Sequence, residues 1–292
     1  MNKDVIVLDM IPVVIPAAGY GTRSLPASKA VPKEMLTIFD RPTIQYIVDE
    51  AVASGVKDVV FVTSRGKSAI EDHFDQNPEL ELTLERSKKT DLLEIVRSLS
   101  SKVNIQSVRQ KEMKGLGHAV LMAKNAVSAM SFGVMLGDDL VEGKTPGMKQ
   151  LIDRQTELPT GCGVVMLMKV SDADVSKYGI CEIGDEKAMQ ISRCVEKPRP
   201  EQTKSRYAIV GRYLLPQDIF QKLEACQSGA LGEIQLTDAL NQLAKEGRLY
   251  GKVIEGRRFD AGDRIGFLEA TLFYAVQSPH KEAVKKLLKE FA

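Results

Sequence analysis

The sequence predicts an α/β protein with a mostly parallel mixed sheet and a small antiparallel addition. Three observations carry that class. Helical and β-branched segments alternate almost from end to end, as they do when each strand is followed by a crossover helix. Asp58 to Thr63 (DVVFVT) is apolar on both faces, the pattern of a strand covered by helices on both sides. Between Tyr178 and Val195 two alternating segments flank Gly184-Asp185, a hairpin signal that belongs to antiparallel pairing.

In chain order, Pro12 to Pro16 reads as the first buried strand, and Thr43 to Ala53 as a helix, with Ile44, Ile47, Val48, Ala51 and Val52 at helical spacing and Gly55 as its stop. Asp58 to Thr63 is the next strand. Leu92 to Leu99 reads as helix, Val103 to Val108 as strand, His118 to Val127 as helix, Gly133 to Leu136 and Gly163 to Val170 as strands. After the hairpin come strand Ala208 to Tyr213, helices Gln217 to Ala225 and Asp238 to Glu246, and strand Tyr250 to Glu255. Asp263 caps a helix whose apolar face is Ile265, Leu268, Leu272, Phe273 and Val276. A last helix opens at Ser278-Pro279 and carries Ala283, Val284, Leu287, Leu288 and Phe291 on one side, a face that docks on its own chain or on a second copy.

The 292 residues carry 40 Lys+Arg against 39 Asp+Glu, with 43% hydrophobic residues, which excludes a disordered or collagen-like chain. A net charge of +1 supplies no general field for nucleic acid or an anionic membrane, so neither is expected as a partner. Cys162, Cys181, Cys194 and Cys226 stand far apart with no C-x-x-C pair, the pattern of reduced, buried thiols. Lys3 and the apolar stretch from Val5 to Ile15 imitate an export signal, but Asp9 and Pro12 interrupt it, and no apolar run approaches a membrane span. A cytoplasmic protein is expected. No composition change marks a domain boundary, so the chain is read as a single domain, 1–292.

The first strand runs into Pro16-Ala17-Ala18-Gly19-Tyr20-Gly21-Thr22-Arg23-Ser24-Leu25-Pro26, a small-residue turn at the end of the sheet where α/β proteins bind ligands. Small side chains let phosphate oxygens reach backbone N–H groups, and an arginine adds charge-assisted bonds. The Walker pattern is absent. Ser24 stands where the third glycine of the dinucleotide fingerprint belongs, and Pro26 and Pro32 make the stretch irregular. Arg23, Lys29 and Lys33 put three cations within eleven residues, a local anion site suited to a triphosphate.

Further along, Gln110 ends a strand and Gly115 precedes a helix; an amide offers donor and acceptor in one plane and can flip to exchange them. His118 reads as a helix-start residue without catalytic duty. Asp138 and Asp139 follow a strand, as hard oxygen ligands for Mg2+ would, whereas Asp139 and Asp263 also fit a turn or cap role. In Glu196-Lys197-Pro198 the proline should hold the preceding residue extended. Thr237 reads as a helix cap.

The segment AAGYGTRSLPASKAVPKEML resembles the signature loop of the sugar-phosphate nucleotidylyltransferase family, and most closely its bacterial uridylyltransferases acting on glucose 1-phosphate. VRQKEMKGLGHAV, LGDDLVEG, KYGI, VEKPRP, IVGRYLL, GEIQLTDAL and FDAGDRIGFLEA continue the resemblance in the family's order over nearly the whole chain. Ser28, Lys111 and Met113 depart from the residues common there.

The resemblance implies a Rossmann-like three-layer nucleotidyltransferase fold, with a nucleotide-binding part at about 11–140, a sugar-binding part at about 160–262 and C-terminal helices at about 263–292. It implies Arg23 and Lys33 as catalytic residues, and Ala17, Ala18, Gly19, Gly21, Thr22, Glu34, Gln110 and Gly115 as nucleotide-binding. Gly179, Glu196, Lys197 and Gly211 carry over to the sugar phosphate, and Asp138 and Asp260 to Mg2+. UTP and glucose 1-phosphate would give UDP-glucose and pyrophosphate, in a homo-oligomer, dimer or tetramer. Rival expectations are a related enzyme using dTTP, CTP or GTP, a non-catalytic sugar-nucleotide-binding paralogue, and an NAD-dependent dehydrogenase, which the missing third glycine disfavours.

Overall fold

In the computed structural model, which describes residues 11–226 and 232–291, the chain alternates strands and helices much as its periodicity dictates. β1 (Val13–Pro16) is followed by the short hairpin β2 (Thr37–Ile38) and β3 (Arg41–Pro42), then α1 (Thr43–Ala53) and β4 (Asp58–Thr63). Helices α2 (Ser68–Phe74), α3 (Pro78–Arg86) and α4 (Thr90–Ser101) precede β5 (Asn104–Arg109) and α5 (Gly115–Met122). The chain continues through β6 (Ser131–Met135), β7 (Asp139–Glu142), α6 (Gly147–Thr156), β8 (Gly163–Lys169), β9 (Gly179–Asp185), β10 (Gln190–Glu196) and β11 (Tyr207–Pro216). It ends with α7 (Ile219–Ala225), α8 (Leu236–Lys245), β12 (Leu249–Val253), β13 (Arg257–Asp260), α9 (Arg264–Gln277) and α10 (Lys281–Glu290).

Local chemistry explains the best-defined of these. In α1, Ile44, Ile47, Val48 and Ala51 recur at helical spacing and all are fully buried. The helix stops where Gly55 takes a φ of 90° and the Gly55 and Val56 amides fold back on the carbonyls of Val52 and Ala51, closing a Schellman turn. Nine strands form one sheet in the order β5-β4-β1-β6-β11-β8-β12-β10-β9. Neighbouring residues on one strand feed opposite faces: Val13 and Ile15 pack with α1 and α6, while Val14 packs with α5 and α8. That is a three-layer sandwich with a core on each side of the sheet.

β5, β4, β1 and β6 run parallel, so their carboxyl ends line one edge. The antiparallel part exceeds the small addition expected. β11 runs antiparallel to both β6 and β8 in the middle of the sheet, as well as to β9, and β12 returns parallel to β8. A strand buried on both faces is a continuous apolar run whichever way it points, so periodicity carries no direction. Buried Arg212 of β11 anchors this turnabout. Its guanidinium reaches both oxygens of Glu50 on α1 at 2.9 and 2.6 Å and the Asp139 carbonyl at 2.7 Å.

Several boundaries differ from expectation. The hairpin turn lies beyond Gly184-Asp185, which belong to β9; the Asp185 carboxylate accepts the Lys187 and Ala188 amides and so closes the turn later. The helix expected from His118 begins at Gly115. α10 begins at Lys281 rather than at Ser278-Pro279, because Ser278 ends α9. Asp263 does cap α9, accepting the Ile265 and Gly266 amides. The buried side of α9 differs, however. Phe267, Ala270, Phe273 and Tyr274 face the core, and Ile265, Leu268 and Leu272 are exposed. The helix is apolar on two sides, and the aromatic side wins because Tyr274 packs on Tyr46, and Phe273 on Phe259. No residue of α10 is buried. Of the export-like segment, residues 3 to 10 lie outside the described residues, while Val13 to Ile15 fall within β1; among the described residues no helix is long and apolar enough to cross a membrane.

Candidate active site

The carboxyl ends of β1, β5 and β6 open into a cleft of about 690 Å³, whose far wall is built from β9, β10, β11 and the start of α8. Arg23, Lys33, Asp138, Asp260 and Lys197 all line it. So do Ala18, Gly19, Glu34, Gln110, Gly115, Gly179, Glu196 and Gly211.

Three expected residues do not line it. Ala17 is buried beneath the loop and gives its amide to Val62. Gly21, at a φ of 66°, makes the left-handed turn that starts the loop's short helical turn, and a side chain there would press on Lys33. Thr22 is exposed, as is Lys29, so the third loop cation is not part of the cleft.

The near wall concentrates charge. Lys33 Nζ lies 2.6 Å from Asp138 Oδ2, and Arg23 Nη2 lies 3.6 Å from the same oxygen. Burial works against the Lys33 ammonium, yet Asp138 and Glu34 hold its pKa above the ordinary lysine value. Burial likewise works against the Asp138 carboxylate, and Lys33 and Arg23 hold it below the usual carboxylate value. Glu34 is buried with Oε2 on Lys67 Nζ at 2.7 Å, and Oε1 has no partner among the described residues.

A short two-stranded sheet brings distant carboxylates together, since β13 pairs with β7 and sets Asp260 opposite Asp139. Asp138 Oδ2, Arg23 Nη2 and Asp260 Oδ1 lie 2.8, 2.9 and 3.1 Å from the position a Gly262 side chain would take. Two carboxylates converging on one point, with no third acidic ligand grouped with them among the described residues, suit an ion that takes one or two side chains and completes its shell with water and phosphate oxygens. The residues therefore fit Mg2+. Asp139 is neither turn-former nor cap. It is buried, accepts from Arg258 Nε at 2.6 Å and from the Gly211 amide at 2.9 Å, and so ties β7 to β11 and β13.

That contact also explains Gly211. A side chain there would meet Asp139 Oδ2 and Leu136, so the glycine makes room for a carboxylate. Lys197, expected extended before Pro198, instead has a φ of 42°. Its amide bonds to the Tyr178 carbonyl, which turns the chain sharply as β10 ends. Strained lysine backbone at a cleft wall is the kind of outlier that accompanies a functional position.

Sequence reasoning gave no site role to two residues that line the cleft, Thr237 and Arg258. Thr237, expected as a cap, lies within α8, and its hydroxyl donates to Glu196 Oε2 at 2.7 Å. Arg258 pairs with Asp260 at 3.2 Å and donates to the Tyr178 hydroxyl at 2.9 Å. The unabsorbed TD of GEIQLTDAL and RF of RRFDAG were the only signals.

Comparisons with known proteins show the family. A family model described as nucleotidyl transferase matches residues 12–277. The chain is 47% identical to the UTP–glucose-1-phosphate uridylyltransferase of Bacillus subtilis (strain 168), over 90% of each chain. It superposes on the UDP-glucose pyrophosphorylase of Acinetobacter baumannii with a TM-score of 0.89 and 39% identity, covering 97% of this chain and 100% of that one. The UTP-bound form of that enzyme gives 0.88 at the same identity and coverage.

Proposed function

The chain belongs to the nucleotidyl transferase family, and we propose that it transfers a uridylyl group from UTP to glucose 1-phosphate, giving UDP-glucose and pyrophosphate. One observation supports this most: the Lys33–Asp138 pair and the Glu196–Thr237 pair belong to the same cleft, so a triphosphate and a hexose can be held side by side. An oxygen of the sugar phosphate attacks the α-phosphorus of UTP in line with the departing pyrophosphate. The attacker is already an anion, so the work is positioning two negative reactants and meeting the charge that grows on the leaving group.

In this reading Arg23 and the loop amides hold the triphosphate, Lys33 meets the α-phosphate and the leaving pyrophosphate, and Lys197 meets the sugar phosphate. Glu196, oriented by Thr237, accepts from glucose hydroxyls, and Gln110 with Gly115 receives the base. Mg2+, which Asp138 and Asp260 would hold, would neutralise negative charge on the phosphates. The exposed stripe Ile265, Leu268 and Leu272 supports a homo-oligomer, and a cytoplasmic site of action accompanies the reading.

A pyrophosphate-release assay offering UTP, dTTP, CTP and GTP with glucose 1-phosphate, with and without Mg2+, tests it. UTP with Mg2+ is expected to give the fastest turnover; equal rates for all four nucleotides, or none with UTP, would refute it. Arg23→Ala is expected to lower kcat/KM for UTP by about a hundredfold, and turnover within a few-fold of the parent would remove Arg23 from its role. Thr237→Val is expected to raise KM for glucose 1-phosphate by about fivefold while leaving that for UTP alone, as loss of one orienting hydrogen bond would. Equal effects on both substrates would reject that assignment.

A further inference from the structure

Gln110 leaves the end of β5 almost fully buried, and the protein treats the two ends of its amide differently. Nε2 donates to the Gly115 carbonyl at 3.3 Å and lies 2.9 Å from His118 Nδ1. A carbonyl only accepts, so the end facing Gly115 is the NH2. Its other proton then points at His118, whose Nδ1 must accept, which leaves the ring neutral with its proton on Nε2. Burial and the Lys114 charge, opposed by Glu112, hold the ring below the ordinary histidine pKa, in keeping with a neutral ring. Among the described residues no donor meets Gln110 Oε1, and the residue lines the cleft.

We propose that His118 is a positioning residue for base selection, pinning the Gln110 amide through an unprotonated Nδ1 so that Oε1 is the edge offered to the pyrimidine. A freely turning amide would present its NH2 as readily as its oxygen. Pinned, it accepts from the N3–H of a uracil and opposes the lone pair that cytosine carries at N3. A site with a fixed acceptor rejects the ligand that leaves it unpaired more strongly than it attracts the one that fits. With the Gly115 carbonyl, which takes the other amide proton, His118 therefore resolves the ambiguity of a lone glutamine without touching the substrate itself. The inference rests on the uridylyl-transfer reading above.

Two substitutions and one spectrum test it. His118→Phe keeps a ring but removes the acceptor, and should raise KM for UTP about tenfold with kcat within about twofold, lowering the UTP:CTP ratio of kcat/KM about tenfold. His118→Asn returns an acceptor oxygen near the Nδ1 position and should restore most of that ratio. A His118→Phe ratio within about twofold of the parent would overturn the proposal. Should the substitutions impair folding, the parent decides. It has three histidines, so 15N-labelling of the rings resolves His118, which should show a bare Nδ1 and a protonated Nε2 at neutral pH. The opposite tautomer, or an imidazolium, would overturn the proposal. A parent inert with UTP but showing the expected tautomer would refute the uridylyl-transfer reading while upholding the hold on Gln110.

Discussion

Lys33→Met is expected to lower kcat by about a thousandfold in the UTP and glucose 1-phosphate reaction, the upper end of what a preorganised charge supplies at a developing anion. Methionine nearly matches the length and apolar stem of lysine, so the substitution isolates the charge. Lys33 Nζ lies 2.6 Å from Asp138, half-buried at the root of the phosphate loop, and its raised pKa keeps it cationic through the neutral range. A cation already in place needs no reorganisation when charge appears on the leaving pyrophosphate. The change should fall mainly on kcat, because in the proposed arrangement Arg23 and the loop amides would still bind the ground-state triphosphate. A urea melt would separate this from unfolding. Turnover within tenfold of the parent by a folded protein would remove Lys33 from the chemistry.

Asp138→Asn is expected to cost about a thousandfold as well, with a different signature. The carboxylate anchors Lys33 and Arg23, and with Asp260 it converges on a single point above Gly262. Asparagine keeps the shape and loses the charge, so the Mg2+ concentration for half-maximal rate should rise steeply. An unchanged Mg2+ titration would contradict the assignment. The pH dependence of the ion pair follows from the two shifts. Asp138 is lowered, so its contribution is complete above the unfolded carboxylate value and fades only as pH falls through the still lower folded one. Lys33 is raised, so its share is present below the unfolded lysine value and is lost only as pH climbs through the higher folded one. The pair should thus leave stability flat across neutral pH.

The parts of this site that were legible in the sequence are those written locally. The loop around Gly21 and Arg23 announces itself by small residues, prolines and cations close together. α1 was legible to the residue because Gly55 ends it chemically, and β4 because both of its faces are apolar. What was not legible depends on tertiary pairing. No periodicity shows that β13 lies against β7, which is what carries Asp260 to Asp138 and gives Asp139 to Arg258 rather than to a helix end. The direction of β11 was hidden by its uniform burial, and with it the reason for Gly211. Thr237 looked like a cap because a threonine before Asp238 is good capping chemistry. Its real partner, Glu196, is 41 positions away and only the fold brings it near.

Holding two repelling substrates side by side makes one further demand, that the sugar phosphate attack UTP directly with no enzyme-bound intermediate. The stereochemistry at phosphorus reads this out. With UTP carrying a single sulfur of known configuration on the α-phosphate, one in-line displacement predicts UDP-glucose with inverted configuration. Retained configuration would mean two successive displacements through a group on the protein, and would contradict the account.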